Sequence, residues 1–132
     1  MNVEIFSGEE IAALRRAGHA AAATLAFVGA RLRSGITTSA IDQWVREDTR
    51  ARGGRPSQLG YEGFPAAVCV SRNAVVCHGI PSARERLEDG DIVNVDVTTN
   101  LGGFHGDTSE TFFVGEPSAE ARHVVDVARR AR

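Results

Sequence analysis

The sequence contains no lysine: all 15 of its cationic side chains are arginine. Cysteine is nearly as scarce. Cys69 and Cys77 are the only two and form no CxxC pair, so zinc-ribbon and thioredoxin-type sites have no basis. Both are expected to be reduced thiols. No apolar run approaches the roughly 20 residues that a membrane span requires. The opening Met1-Asn2-Val3-Glu4 has neither the positive flank nor the apolar stretch of a secretory signal. Together these absences predict a cytoplasmic protein with no membrane association. Excess charge of either sign is also missing. The 15 basic side chains face 17 acidic ones, which leaves no electrostatic footprint for nucleic acid. Arg50, Arg52 and Arg55 are grouped, as are Arg129, Arg130 and Arg132. Each group sits at an expected helix C-terminus, where cations complement the dipole.

What is present reads as one globular domain of 132 residues. Ser7-Gly8-Glu9-Glu10 forms a capping box. Leu14, Gly18, Ala21, Leu25, Val28 and Leu32 follow at steps of four and three, one face of a helix that Gly35 is expected to end. Thr38 or Ser39 can cap a second helix with Ile41, Trp44 and Val45 facing inward, ended by Gly53-Gly54 and Pro56. A loop containing aromatic residues runs from Arg55 to Pro65. The pattern then changes to strands. Ala67–Val70 and Ala74–Cys77 predict a hairpin around Ser71-Arg72-Asn73. Arg84–Asp89 is polar and expected on the surface, Asp91–Thr99 and Thr108–Val114 read as strands, and Ser118 caps a last helix through Val124, Val125 and Val127. This order predicts an α+β fold, an antiparallel sheet with helices packed on one face.

Chemistry concentrates in the strand Asp91–Thr99. Val93, Val95 and Val97 alternate with Asn94, Asp96 and Thr98, so the valines face the core and Asp96 projects from the opposite face. If the following turn is centred between Leu101 and Gly102, Asp96 lies opposite Asp107 on the returning strand. Carboxylates that close repel, and a divalent cation between them removes the conflict. Gly103 and Gly106 flank His105, and strand glycines mark a bulge or the close approach of a ligand. The residues alone leave a second possibility, two solvated aspartates in another register. His78 ends a strand where the chain must turn; taken alone, it is a structural histidine.

Several motifs resemble type I methionine aminopeptidases, in order and at matching spacing. These are Val76-Cys77-His78-Gly79-Ile80-Pro81, Asp89-Gly90-Asp91-Ile92-Val93-Asn94-Val95-Asp96-Val97, Gly103-Phe104-His105-Gly106-Asp107-Thr108-Ser109, and Leu59-Gly60-Tyr61-Glu62-Gly63-Phe64-Pro65. The resemblance spans essentially the whole chain. It implies half of a pita-bread fold, with residues 1–132 as the N-terminal half of the catalytic domain. It implies Asp96 and Asp107 as metal ligands in a site that, when complete, holds two divalent ions (Co, Mn, Fe or Zn). It implies a catalytic and substrate-positioning His78, and a methionine pocket lined by Tyr61, Phe64 and Cys69. Gln58 stands where many members carry a smaller residue, which is expected to narrow the pocket or its entrance. The substrates implied are the N-termini of nascent polypeptides.

The remaining family ligands, one histidine and two glutamates, belong to a C-terminal half. His19, Glu120 and His123 are expected on the surface or in packing roles, not as replacements. Two aspartates can hold one ion loosely. They cannot fix two ions and also supply a general base. The expectation is therefore an enzyme half, inactive alone, that associates with a complementary C-terminal half or forms a metal-dependent self-dimer. The alternatives are a non-catalytic half-fold that binds peptide or metal, and part of another pita-bread enzyme such as an Xaa-Pro peptidase. The intact His-Gly-Ile-Pro context and the Tyr61 loop favour the methionine branch.

Overall fold

The computed structural model describes residues 5–131; Met1–Glu4 and Arg132 lie outside them. Helix α1 spans Gly8–Gly29 and begins as the capping box predicts. Ser7 Oγ accepts from the Glu10 amide at 3.3 Å, and Glu10 Oε2 accepts from the Ser7 amide at 2.7 Å. The buried stripe is Ala13, Ala17, Ala21, Leu25 and Val28. Its first half is rotated by one residue from the expected Leu14 and Gly18. The reason is steric: strand backbone at Gly106 lies directly against the main chain of Ala17 and Gly18, which turns that side of the helix inward. The helix stops at Gly29, capped by Ala30, instead of continuing toward Gly35.

Helix α2 spans Thr38–Ala51. Its N-cap is Thr37, whose Oγ1 accepts from the Ala40 amide at 3.2 Å. Thr38, expected as a cap, is buried in the first turn and exchanges hydrogen bonds with Ser82 instead.

Four strands follow: β1 Arg55–Pro56, β2 Cys69–Arg72, β3 Ile92–Leu101 and β4 Phe104–Phe113. β3 is central. β4 pairs along its whole length on one edge, and β1 and β2 share the other, all antiparallel. Val70, Val93, Val95 and Val97 face α1 and α2 and form the core with Leu25, Val28, Ile41 and Val45. One sheet face is thus covered by helices, and the other carries the polar side chains. Helix α3, Ala119–Ala131, buries only Val125; the expected Val124 and Val127 are exposed. Arg129 fastens α3 to β4, donating to Glu110 Oε1 at 3.2 Å and to the Thr111 carbonyl at 2.9 Å. No described helix is long and apolar enough to cross a membrane.

Two strand-level expectations fail. Ala74–Cys77 forms no hairpin arm with β2. Asn73 turns left-handed at φ 50°, and its amide bonds the Ile92 carbonyl, so the chain leaves the sheet. Val70 instead donates to the Gly79 carbonyl at 2.9 Å, and Val76 is left 94% exposed. The segment Arg84–Asp89 is not all surface. Leu87 is a core residue, and its backbone exchanges hydrogen bonds with Gly35 and Ile36.

Candidate metal centre and its pocket

The turn joining β3 to β4 decides how the two aspartates meet. Its central pair is Gly102-Gly103, with φ of 62° and 91°. A two-residue hairpin of this hand needs positive φ at both positions, which glycine supplies without strain. The register is therefore Leu101↔Phe104, Thr98↔Asp107 and Asp96↔Ser109. Asp96 and Asp107 are diagonal neighbours, not directly opposed as the Leu101/Gly102-centred turn would have them. The shift of two keeps both carboxylates on the open face of the sheet, within reach of each other across a diagonal of roughly 7–8 Å between backbones. Gly103 is thus a turn residue. Gly106 faces the other way, against the backbone of Ala17 and Gly18 in α1. The glycines around His105 serve the hairpin and its helix, not a ligand.

Asp96 is half-buried, and its carboxyl is raised to about 6. Burial is the main cause, followed by the negative charge of Asp107 and hydrogen bonding with it; a nearby His78 acts in the opposite sense. Asp107 is exposed and accepts from Thr98 Oγ1 at 2.9 Å. Cys69 lies directly across from Asp96 on β2. Burial and the two aspartates push its thiol up to about 11, so it is neutral at ordinary pH and is no thiolate nucleophile.

His78 sits on the loop after β2 in a left-handed conformation, φ 55°, a region costly for a residue with a side chain and found where surroundings enforce it. Gly79 provides the enforcement. Its amide donates to Ser71 Oγ at 3.1 Å and its carbonyl accepts from Val70. A side chain at Gly79 would press into the Val70 carbonyl.

These parts surround an open concavity of about 680 Å³. Its lining includes all the residues expected at the site: Tyr61, Phe64, Cys69, His78, Asp96 and Asp107, with Gln58. His19, Glu120 and His123 are exposed and do not line it. Two details were not anticipated. Gln58 does not project its carboxamide toward the entrance; the group is turned onto β3. His105 bridges Ser57 and Asn100, with Nδ1 2.8 Å from Ser57 Oγ and Nε2 2.9 Å from Asn100 Nδ2. Asn100 Oδ1 is already held by the Gly103 amide, so its Nδ2 faces the ring and Nε2 must accept. Nδ1–H then donates to Ser57, the opposite polarity to a histidine that activates a serine. His105 ties the pocket loop to the hairpin. Its alternation with Asp107 on β4 was the only signal for that role in the sequence.

The donor set is two hard carboxylate groups on one face, mutually repelling without a cation, which fits a divalent ion. Among the described residues no three His, Cys, Asp or Glu side chains converge as ligands. Two carboxylates would leave the other positions of such an ion to water or to donors from elsewhere.

The sequence profile of metallopeptidase family M24 matches residues 12–132. The chain belongs to metallopeptidase family M24. Its relatives within the family include methionine aminopeptidases. It is 50% identical over 130 residues to the mitochondrial methionine aminopeptidase 1D of Danio rerio, covering 98% of this chain and 38% of that protein. The crystal structure of methionine aminopeptidase from Rickettsia prowazekii superposes with a TM-score of 0.96 at 35% identity, over 98% of this chain and 52% of that one. The prolidase of Pyrococcus furiosus aligns at 0.80 with 19% identity, which shows a shared fold alone. The chain thus spans about half or less of the M24 proteins it matches, and its α+β unit is half of their pita-bread fold.

Proposed function

We propose that this protein takes part in removing the initiator methionine from nascent polypeptides in the cytoplasm, as the N-terminal half (residues 1–132) of a metalloaminopeptidase site. The carrying observation is the Asp96–Asp107 pair on the floor of a concavity walled by Tyr61, Phe64 and Cys69. Asp96 and Asp107 would hold the metal, two ions (Co, Mn, Fe or Zn) in the complete site. Bound metal supplies Lewis acidity and an activated water. His78, the residue held at its rim by Gly79, is suited to steady the peptide and the charge that develops on its carbonyl. Tyr61, Phe64 and Cys69 receive the methionine side chain, and the neutral Cys69 thiol is compatible with a thioether.

The remaining ligands and the general base come from a complementary C-terminal half. Exposed apolar side chains lining the concavity, Tyr61 and Ile80, support a covering partner there. Failing that partner, a second copy brings four carboxylates together, and such a dimer depends on divalent metal.

The test is hydrolysis of a Met-Ala-Ser peptide with Mn²⁺ or Co²⁺. The chain alone is expected to turn over negligibly. Adding the C-terminal half of a type I methionine aminopeptidase is expected to produce activity that Asp96→Asn abolishes. Metal-dependent peptide binding without turnover in any combination would instead favour a non-catalytic binding half-fold. Preference for Xaa-Pro over Met-Ala peptides would sink the methionine reading.

A further inference from the structure

One edge of β3 is covered in two pieces. β1 pairs with Thr99 and Asn100, and β2 pairs with Val93 to Asp96. Between them the edge of β3 runs past a gap at Val97 and Thr98, where a continuous strand would have supplied a peptide group. Gln58 fills it with its side chain. Nε2 donates to the Asp96 carbonyl at 2.9 Å, and Oε1 accepts from the Thr98 amide at 3.4 Å. The amide of Ser57, next in the chain, donates to the Thr98 carbonyl at 2.8 Å. A carboxamide carries the same donor and acceptor as a backbone peptide, so Gln58 acts as a strand residue turned sideways.

The two β3 residues held this way are those that aim the aspartates. One is Asp96 itself. The other is Thr98, whose Oγ1 donates to Asp107 Oδ1 at 2.9 Å. We propose that Gln58 is a positioning residue for both aspartates, holding Asp96 through its carbonyl and Asp107 through Thr98. The inference rests on reading the pair as metal ligands. Groups that orient ligands from behind typically govern metal affinity by 10–100-fold.

The test uses the purified protein with Mn²⁺ titrated by calorimetry, and amide hydrogen exchange at Thr98 without metal. Gln58→Met keeps length and bulk but removes both hydrogen bonds. It is expected to weaken Mn²⁺ binding by about tenfold and to speed exchange at Thr98. Thr37→Ala, which weakens the distant cap of α2, controls for general loosening and is expected to leave both unchanged. Asp96→Asn is expected to abolish binding. If it does, and Gln58→Met stays within twofold of wild type, the positioning role is overturned. If Asp96→Asn leaves binding intact, the metal reading of the pair has failed, and Thr98 exchange then decides alone whether Gln58 holds β3. Unchanged exchange in Gln58→Met refutes the proposal in either case. Should Gln58→Met not fold, Thr98→Val removes the hydroxyl link to Asp107 but keeps the backbone; an unchanged Mn²⁺ affinity there also overturns it.

Discussion

Gly106→Ala should cost this protein stability although its backbone conformation accepts alanine. A Cβ at Gly106 would stand inside the carbonyl of Ala17 and the amide nitrogen of Gly18, far closer than the 3.4–4 Å of ordinary contact. The atoms it meets are helix backbone, which cannot rotate away as a side chain can. Relief requires α1 to retreat from the sheet by on the order of 1 Å, and a gap of that size forfeits a quarter to a half of each dispersion contact along it. Ala17, Ala21 and Leu25 all lie on that seam. Overpacking of this kind costs about 1–3 kcal/mol, against a gain of about 0.4–1 kcal/mol from a stiffer unfolded chain. The net expectation is a loss of about 1–2 kcal/mol, near a 1 M drop in urea midpoint at an ordinary denaturant slope. Ala17→Gly should not rescue it, because the obstructing atoms are main chain. Gly18→Ala is the matched control. It lies in the same helix with nothing within 4 Å of its would-be Cβ, so it should stabilise by roughly 0.5–1 kcal/mol. Urea unfolding followed by circular dichroism reads all three. A Gly106→Ala midpoint at or above wild type would refute the close-packing argument.

Asp91→Ala should destabilise by about 3–5 kcal/mol, because buried Asp91 accepts from Arg72 Nε, Asn73 Nδ2 and the Glu88 amide; urea unfolding checks it. Hydrogen bonds to those groups depress its carboxyl against burial, so its contribution should persist above the usual aspartate range and fade as pH falls below it. Asp96 behaves in the opposite sense. Its carboxyl is raised to about 6, so the metal-free protein binds more protons folded than unfolded and loses stability as pH rises from about 4 to about 6. Mn²⁺ must displace that proton, so calorimetric affinity should rise about tenfold per pH unit below 6 and level off above it. In native protein an aromatic disulfide reagent should titrate the exposed Cys77 quickly and the buried, poorly ionised Cys69 slowly; two equally fast thiols would contradict the buried placement.

The parity of the strands was legible in the sequence and their register was not. Alternation of Val93, Val95 and Val97 with Asn94, Asp96 and Thr98 assigns faces whatever the turn, because a slip of two residues preserves side and only a slip of one reverses it. Centring the turn one residue early shifted the pairing from Thr98↔Asp107 to Asp96↔Asp107 yet kept both carboxylates together. The type of turn held the missing information: Gly102-Gly103 is the one adjacent pair there that supplies positive φ twice. The strand expected at Ala74–Cys77 fails for a different reason. Its valines have strand propensity, but propensity says nothing about whether a partner edge is free, and β2 takes Gly79 at Val70 instead.

The loop at Ala74–Cys77 also bears on the site. Had Ala74–Cys77 paired with β2, His78 would have ended a regular strand and had no need of a left-handed backbone. Leaving the sheet at Asn73 and returning at Gly79 makes a loop with both ends pinned, one at the Ile92 carbonyl and the other at Val70 and Ser71. His78 immediately precedes the second pin. Its position is thus fixed from β2, the strand whose Cys69 faces Asp96, and the histidine and the acidic hairpin share a single sheet as their frame. Gly79 is what makes that pin possible, since any side chain there would push into the Val70 carbonyl. The glycine of the His-Gly-Ile-Pro run is therefore a demand of the strand beneath it, and the strain at His78 is held by the same contact.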